Sequence, residues 1–135
     1  QVLKLFTGMV REHDMAVLLI THNLGVVAQT CTHVAVMYAG NIVESGPVAR
    51  VLAAPAHPYT RALLAAIPTR AVKRGALQGL AGSVPSLIEA PPGCRFAPRC
   101  ARSTPACLAG VPAAVDLGNG HSASCIALEP ATGAA

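Results

Sequence analysis

Residues 15–20, with the sequence MAVLLI, form an unbroken apolar run that constrains the fold more than any other feature of the chain. A strand that is apolar on both faces is typical of a parallel sheet covered by helices on each side. Apolar residues within 1–12 recur at helical spacing, so a helix is expected just before this strand. A helix followed by a buried strand predicts an α/β layer architecture with parallel strands.

Further regular elements are expected as far as residue 67. The pattern predicts helices at 24–30, 47–52 and 59–67, and strands at 33–38 and 42–45. Asn23 is placed to cap the first of these helices. Residues 39–41, with Gly40 at their centre, suit the turn of a hairpin between the two strands. Large aliphatic residues concentrate in this part of the chain, which is therefore expected to contain the packed core.

The composition changes after Thr69. Prolines at 85, 91, 92, 98, 105 and 112 interrupt any long element, so we predict a separate, loop-rich appendage that carries four cysteines. No window approaches the run of roughly 18–20 apolar residues that a membrane-spanning helix needs, and the first residues lack the features of a signal peptide. We therefore expect a soluble, cytoplasmic protein that reaches a membrane only through partners.

The net charge is +4, and the basic excess lies between Arg61 and Arg102. A basic stretch of this kind can face nucleic acid, anionic lipid or a cluster of thiolates. Phe96 is the one aromatic residue in the stretch, so bases would find little to stack on. A basic nucleic-acid-binding domain is therefore the weakest functional interpretation of the chain, and no nucleic-acid partner is expected.

The appendage contains Cys94, Cys100, Cys107 and Cys125, which are separated by five, six and seventeen residues. Four thiols in a loop-rich part of a cytosolic protein favour a metal over disulfides. Structural zinc sites usually use cysteine pairs two to four residues apart, which are absent here, whereas iron–sulfur clusters accept wider spacing. An iron–sulfur cluster, zinc, two disulfides and four free thiols all remain open on the residues alone. Cys31 stands apart and is expected to pack as a small apolar residue.

Thr21-His22-Asn23 follows the predicted strand 15–20 at its carboxyl end, where open parallel sheets bind ligands. A histidine at this position can donate to a phosphate oxygen, or it can simply cap or pack at the start of a loop. No Gly-rich stretch followed by Lys-Ser/Thr is present to bind phosphates.

Four segments carry a resemblance to a known family. LLITHNLG at 18–25 and VAVMYAGNIVESG at 34–46 resemble the end of an ABC-type ATPase domain, which belongs to the P-loop class. Together with AHPYTRALL at 56–64 and GCRFAPRC at 93–100, they make residues 1–126 similar to the ATP-binding subunits of oligopeptide/dipeptide ABC transporters. The resemblance implies that 1–53 end the ATPase domain and that 54–128 form the C-terminal extension of this class. Residues 129–135 are expected to be a disordered tail.

The resemblance also implies a function. The full-length subunit would hydrolyse ATP with Mg²⁺ to energise peptide import, and His22 matches the switch histidine that contacts the γ-phosphate. Residues upstream of Gln1 would carry the Walker A, signature and Walker B motifs, so this fragment alone is not expected to hydrolyse ATP. The four cysteines match a [4Fe–4S] site, with zinc as the second choice. The alternative is a stand-alone cytosolic metal-binding module without ATPase activity.

Partners follow from the same resemblance. They are a second ABC ATPase subunit, two membrane-spanning permease subunits and an extracytoplasmic peptide-binding protein, with this subunit peripheral on the inner face of the membrane. Arg95, Arg99 and Arg102 lie between the cysteines, where they are expected to offset the charge of a bound cluster. His121, four residues before Cys125, is a candidate outer-shell neighbour of the cluster. The segment His57-Pro58-Tyr59 marks the class and is expected to be structural.

Overall fold

The structure is a computed structural model and describes residues 2–13, 15–67 and 80–128. Its helices are α1 (Val2–His13), α2 (Leu24–Thr30), α3 (Val48–Ala53), α4 (Pro58–Ala65) and the short α5 (Ala106–Ala109), with a 3₁₀ turn at Ala97–Arg99. Its strands are β1 (His33–Tyr38), β2 (Asn41–Pro47), β3 (Val115–Asp116) and β4 (Ser122–Ala123).

The helices lie close to their predicted positions. The side chain of Asn23 accepts hydrogen bonds from the backbone N–H groups of Gly25 and Val26, at 3.0 and 3.2 Å, and so caps α2 as expected. The helix predicted at 59–67 begins at Pro58 and ends at Ala65, where Pro occupies the first helical position that tolerates its missing N–H.

The buried strand predicted at 15–20 is wrong for this structure. These residues form no strand, and the side chains of Leu18 and Ile20 are 88% and 90% exposed. A strand buried on both faces needs paired strands at its edges and a layer over each face. The described parts of the chain supply neither for this segment, so most of its apolar side chains are exposed.

Every pair of neighbouring strands in the observed sheet is antiparallel, and the strand order is β1-β2-β4-β3. The predicted hairpin is confirmed, since β1 pairs with β2 across a two-residue turn in which both Ala39 and Gly40 have positive φ. The prediction of parallel strands is wrong among the residues described. On its other side β2 pairs with β4, which is a strand of the Cys-rich appendage.

The appendage shares the core of the first half. Val36, Tyr38, Val43 and Val51 pack with Phe96 of the appendage in one buried cluster. The rings of Tyr38 and Phe96 meet edge to face, with centroids 5.2 Å apart. The appendage was expected to be separate, but Phe96 and the β2–β4 pairing join it to the hairpin.

The boundary at residues 53/54 stays a prediction, and the tail predicted at 129–135 lies outside the described residues. None of the helices described has the length and apolar character needed to cross a membrane.

Candidate functional site: a cavity lined by four cysteines

The four cysteines of the appendage line one cavity of about 220 Å³. They come from four separate places along the chain. Cys94 precedes the 3₁₀ turn, Cys100 ends it, Cys107 lies in α5 and Cys125 follows β4. The fold therefore brings together the candidate ligands that the sequence singled out. Cys31 is not among the lining residues and lies at the end of α2.

Backbone hydrogen bonds fix two of these cysteines against each other. The N–H of Cys94 donates to the carbonyl of Cys107 at 2.7 Å, and the N–H of Ala97 donates to the carbonyl of Cys94 at 2.9 Å. A side chain at Gly93 would place its Cβ 2.3 Å from the carbonyl oxygen of Cys107. Glycine at 93 is thus what lets the two cysteine segments approach so closely.

The thiols differ in their electrostatic surroundings. The backbone N–H and then the hydroxyl of Thr104 donate to the sulfur of Cys107, and these hydrogen bonds lower the pKa of Cys107. Burial raises the pKa of Cys94, and the neighbouring Cys107 and Cys125 raise it further. A thiol such as Cys94, whose ionisation burial and its neighbours oppose, becomes a thiolate most readily when a cation lies beside it.

The spacing of the cysteines bears on which metal group the cavity could hold. A single zinc ion with Zn–S bonds of about 2.3 Å draws its four sulfurs to within about 4 Å of one another. Within residues 2–13, 15–67 and 80–128, no three His, Cys, Asp or Glu side chains are grouped closely enough to hold one ion. The four cysteines line one partly open cavity, and thiolate donors of this kind serve both zinc and iron–sulfur groups in proteins.

The arginines between the cysteines do not act as a group. Arg95 donates to the carbonyl of Ala39, and Arg99 donates to the hydroxyl of Tyr38 at 3.2 Å. Arg102 alone of the three lines the cavity. The expectation that all three offset the charge of a bound group is corrected, because Arg95 and Arg99 instead tie the appendage to the hairpin.

A buried carboxylate, which sequence reasoning missed, joins the hairpin to the appendage. Glu44 of β2 is 1% exposed and accepts three hydrogen bonds. They come from the backbone N–H groups of Ala56 and His57, at 2.7 and 2.9 Å, and from Nε2 of His121 at 2.7 Å. We call these four residues the Glu44 clasp. Glu44 is the one acidic residue between positions 15 and 88. A single acidic residue within an apolar strand was the sequence feature that could have indicated a buried carboxylate.

The clasp also corrects the expectation for His121. Its ring binds Glu44 and does not line the cysteine cavity, so it is not an outer-shell neighbour of a group bound there.

His57 links the clasp to the cavity. Its backbone N–H binds Glu44, its Nδ1 accepts from the N–H of Tyr59 at 3.1 Å to cap α4, and the residue lines the cavity beside Phe96. Burial lowers the pKa of His57, against the opposing charge of Glu44. The sequence predicted a structural part for this segment, and it did not indicate that His57 borders the cavity.

His22 lies at a different place. It is exposed, precedes the Asn23 cap of α2, and borders an open depression of about 320 Å³ formed with the start of α2 and with Leu63, Ala66 and Ile67. This depression and the cysteine cavity share no lining residue. The two candidate sites of the sequence are therefore spatially distinct.

The family described as "Oligopeptide/dipeptide transporter, C-terminal region" matches residues 43–107. The matched region contains Glu44, His57 and three of the four cavity cysteines, and it ends before Cys125.

Individual relatives extend the similarity. The chain is 44% identical over 126 residues to a probable peptide ABC transporter ATP-binding protein of Sinorhizobium fredii, covering 93% of this chain and 38% of the relative. It is 45% identical over 96 residues to a dipeptide transport ATP-binding protein of Bacillus subtilis, covering 71% of this chain and 29% of the relative. A probable D,D-dipeptide transport ATP-binding protein of Escherichia coli is 46% identical over 96 residues, with the same coverage. The chain thus spans between 29% and 38% of the length of these relatives.

Proposed function

We propose that the chain is the C-terminal part of an ATP-binding subunit that energises peptide import through an ABC transporter, because its residues 43–107 match the C-terminal region family of oligopeptide/dipeptide transporters. The observation that carries the proposal is the 44% identity to a peptide ABC transporter ATP-binding protein over 93% of the chain. Residues 1–53 would complete the ATPase domain, and 54–128 would form the extension of this class.

His22 would act at the nucleotide in the complete subunit. Its ring is exposed and borders an open depression, and a histidine at such a place can donate to an oxygen of the γ-phosphate as charge develops there. ATP and Mg²⁺ also need a phosphate-binding loop, and this sequence contains no Gly-rich stretch ending in Lys-Ser/Thr. Residues 1–135 alone would therefore leave ATP unhydrolysed.

The proposal is tested by replacing His22 with Ala in a longer subunit that includes the phosphate-binding loop. We expect the kcat of ATP hydrolysis to fall by about 10²–10³, since this is the typical effect of losing one donor to the transition state. The assay is steady-state phosphate release at saturating Mg·ATP. The matched control is His33→Ala, because His33 is an exposed histidine in β1 and its loss should leave kcat unchanged. Equal rates in both variants would refute this role for His22.

The cysteine cavity would hold a [4Fe–4S] cluster through Cys94, Cys100, Cys107 and Cys125, with zinc as the second choice. Support comes from the four thiols that line one cavity. When bound, the group would supply folding energy to loops that have few apolar contacts of their own.

The partners proposed are those of a peptide importer. They are a second ATP-binding subunit, two membrane-spanning permease subunits and an extracytoplasmic peptide-binding protein, with this subunit on the cytoplasmic face of the membrane. The support is the similarity to ATP-binding proteins of peptide and dipeptide transport.

A further inference from the structure

The hydrogen bonding of His57 fixes where its ring carries a proton. The N–H of Tyr59 points at Nδ1 from 3.1 Å, so Nδ1 must present a lone pair. The proton of the imidazole therefore lies on Nε2, and the tautomer is set by the capping of α4.

The surroundings of His57 place the residue beside the cysteines. The residue is 1% exposed and lines the cavity together with all four cavity cysteines. Its ring is backed by Phe96, with centroids 5.9 Å apart. Within the described residues, the one hydrogen bond of the ring is the one that Nδ1 accepts from Tyr59. Nε2–H is therefore available to an acceptor held in the cavity.

The position of the ring is held from outside the cavity. The carboxylate of Glu44 accepts from the N–H groups of both Ala56 and His57, and His121 binds the same carboxylate. Because these contacts are buried, the backbone at His57 has little freedom to withdraw the ring. A donor fixed in this way is organised before any group binds.

We propose that His57 donates a hydrogen bond from Nε2–H to a sulfur of the group bound by the four cysteines, and that it thereby raises the reduction potential of that group. The inference rests on the proposed iron–sulfur site. A reduced cluster carries more negative charge than an oxidised one, so an N–H donor stabilises the reduced form more strongly. His57 is thus a potential-setting residue, in addition to being the cap of α4.

Two substitutions separate these roles. In His57→Asn the amide oxygen can take the place of Nδ1 and keep the cap on Tyr59, but nothing reaches the position of Nε2. In His57→Gln the longer amide can place an N–H near the position of Nε2, while the cap is weakened. His33→Asn is the control, since His33 is exposed in β1 and does not line the cavity.

The experiment is a potentiometric titration of the anaerobically purified protein, followed by electron paramagnetic resonance, with iron measured for every variant. We expect His57→Asn to make the one-electron reduction about tenfold less favourable at equal iron content, a shift of about 59 mV to lower potential. His57→Gln should remain nearer the wild-type potential, and His33→Asn should match it. If His57→Asn loses iron while His57→Gln keeps it, the result also supports a donor at the Nε2 position.

The outcomes that overturn the inference are distinct from failure of the metal proposal. An unchanged potential in a fully loaded His57→Asn variant removes the role of His57 and leaves the cluster in place. Loss of iron from both variants assigns His57 a structural role alone. A wild-type protein that contains no iron defeats the proposed cluster and this inference together.

Discussion

Replacement of Glu44 by Ala is expected to lower the free energy of unfolding by at least about 3 kcal/mol, because each buried donor left without an acceptor costs about 1–3 kcal/mol. Three donors depend on this carboxylate, namely the N–H groups of Ala56 and His57 and Nε2 of His121. They belong to the segment before α4 and to the appendage, so the loss should loosen the appendage from β2. Urea unfolding followed by circular dichroism measures the change.

Two further variants sharpen this test. Glu89→Ala removes an exposed carboxylate and should alter stability by no more than about 0.5 kcal/mol. Glu44→Gln keeps one acceptor oxygen but turns an amide N–H₂ toward a donor. Its free energy of unfolding should therefore lie between those of Glu44→Ala and Glu89→Ala. If Glu44→Ala unfolds at the same urea concentration as Glu89→Ala, the Glu44 clasp does not stabilise the fold.

Replacement of Phe96 by Ala is expected to lower the free energy of unfolding by about 3–5 kcal/mol, the usual loss for a buried aromatic residue. Phe96 is 2% exposed, and its ring packs against Tyr38 and Tyr59 at centroid distances of 5.2 and 5.5 Å. These partners lie in β1 and α4, so the substitution removes the main apolar contact between the appendage and the first half. The same urea unfolding experiment measures it.

The control for Phe96 is Ile88→Ala, since Ile88 is 96% exposed and its truncation removes little buried surface. An unfolding midpoint for Phe96→Ala close to that of Ile88→Ala would show that the appendage does not share the core of the hairpin.

Local features of the fold were predictable from the sequence. The capping of α2 by Asn23 and the hairpin turn at Ala39 and Gly40 depend on residues within a few positions of each other, and both were predicted. The buried strand at 15–20 was not a local property, since it requires paired strands that the described residues do not supply. Its apolar pattern predicts a strand covered on both faces, and the described residues do not cover the segment in this way.

Long-range features could not be predicted from the sequence, because they too depend on contacts between distant parts of the chain. Glu44 and His121 are 77 positions apart, and no periodicity connects them. The cysteines were recognised as a set by their number and setting, but their convergence depends on the contact between Cys94 and Cys107 that Gly93 permits. The place of His57 in the cavity wall follows from the Glu44 clasp, which the sequence did not reveal.

Iron and acid-labile sulfide in anaerobically purified protein test the central claim, that the four cysteines form one cluster site. We expect about four irons and four sulfides per chain, lost in Cys94→Ser and retained in Cys31→Ser, because Cys31 does not line the cavity. A colourless wild-type protein with one zinc per chain, or a Cys94→Ser variant that keeps its iron, would contradict the account.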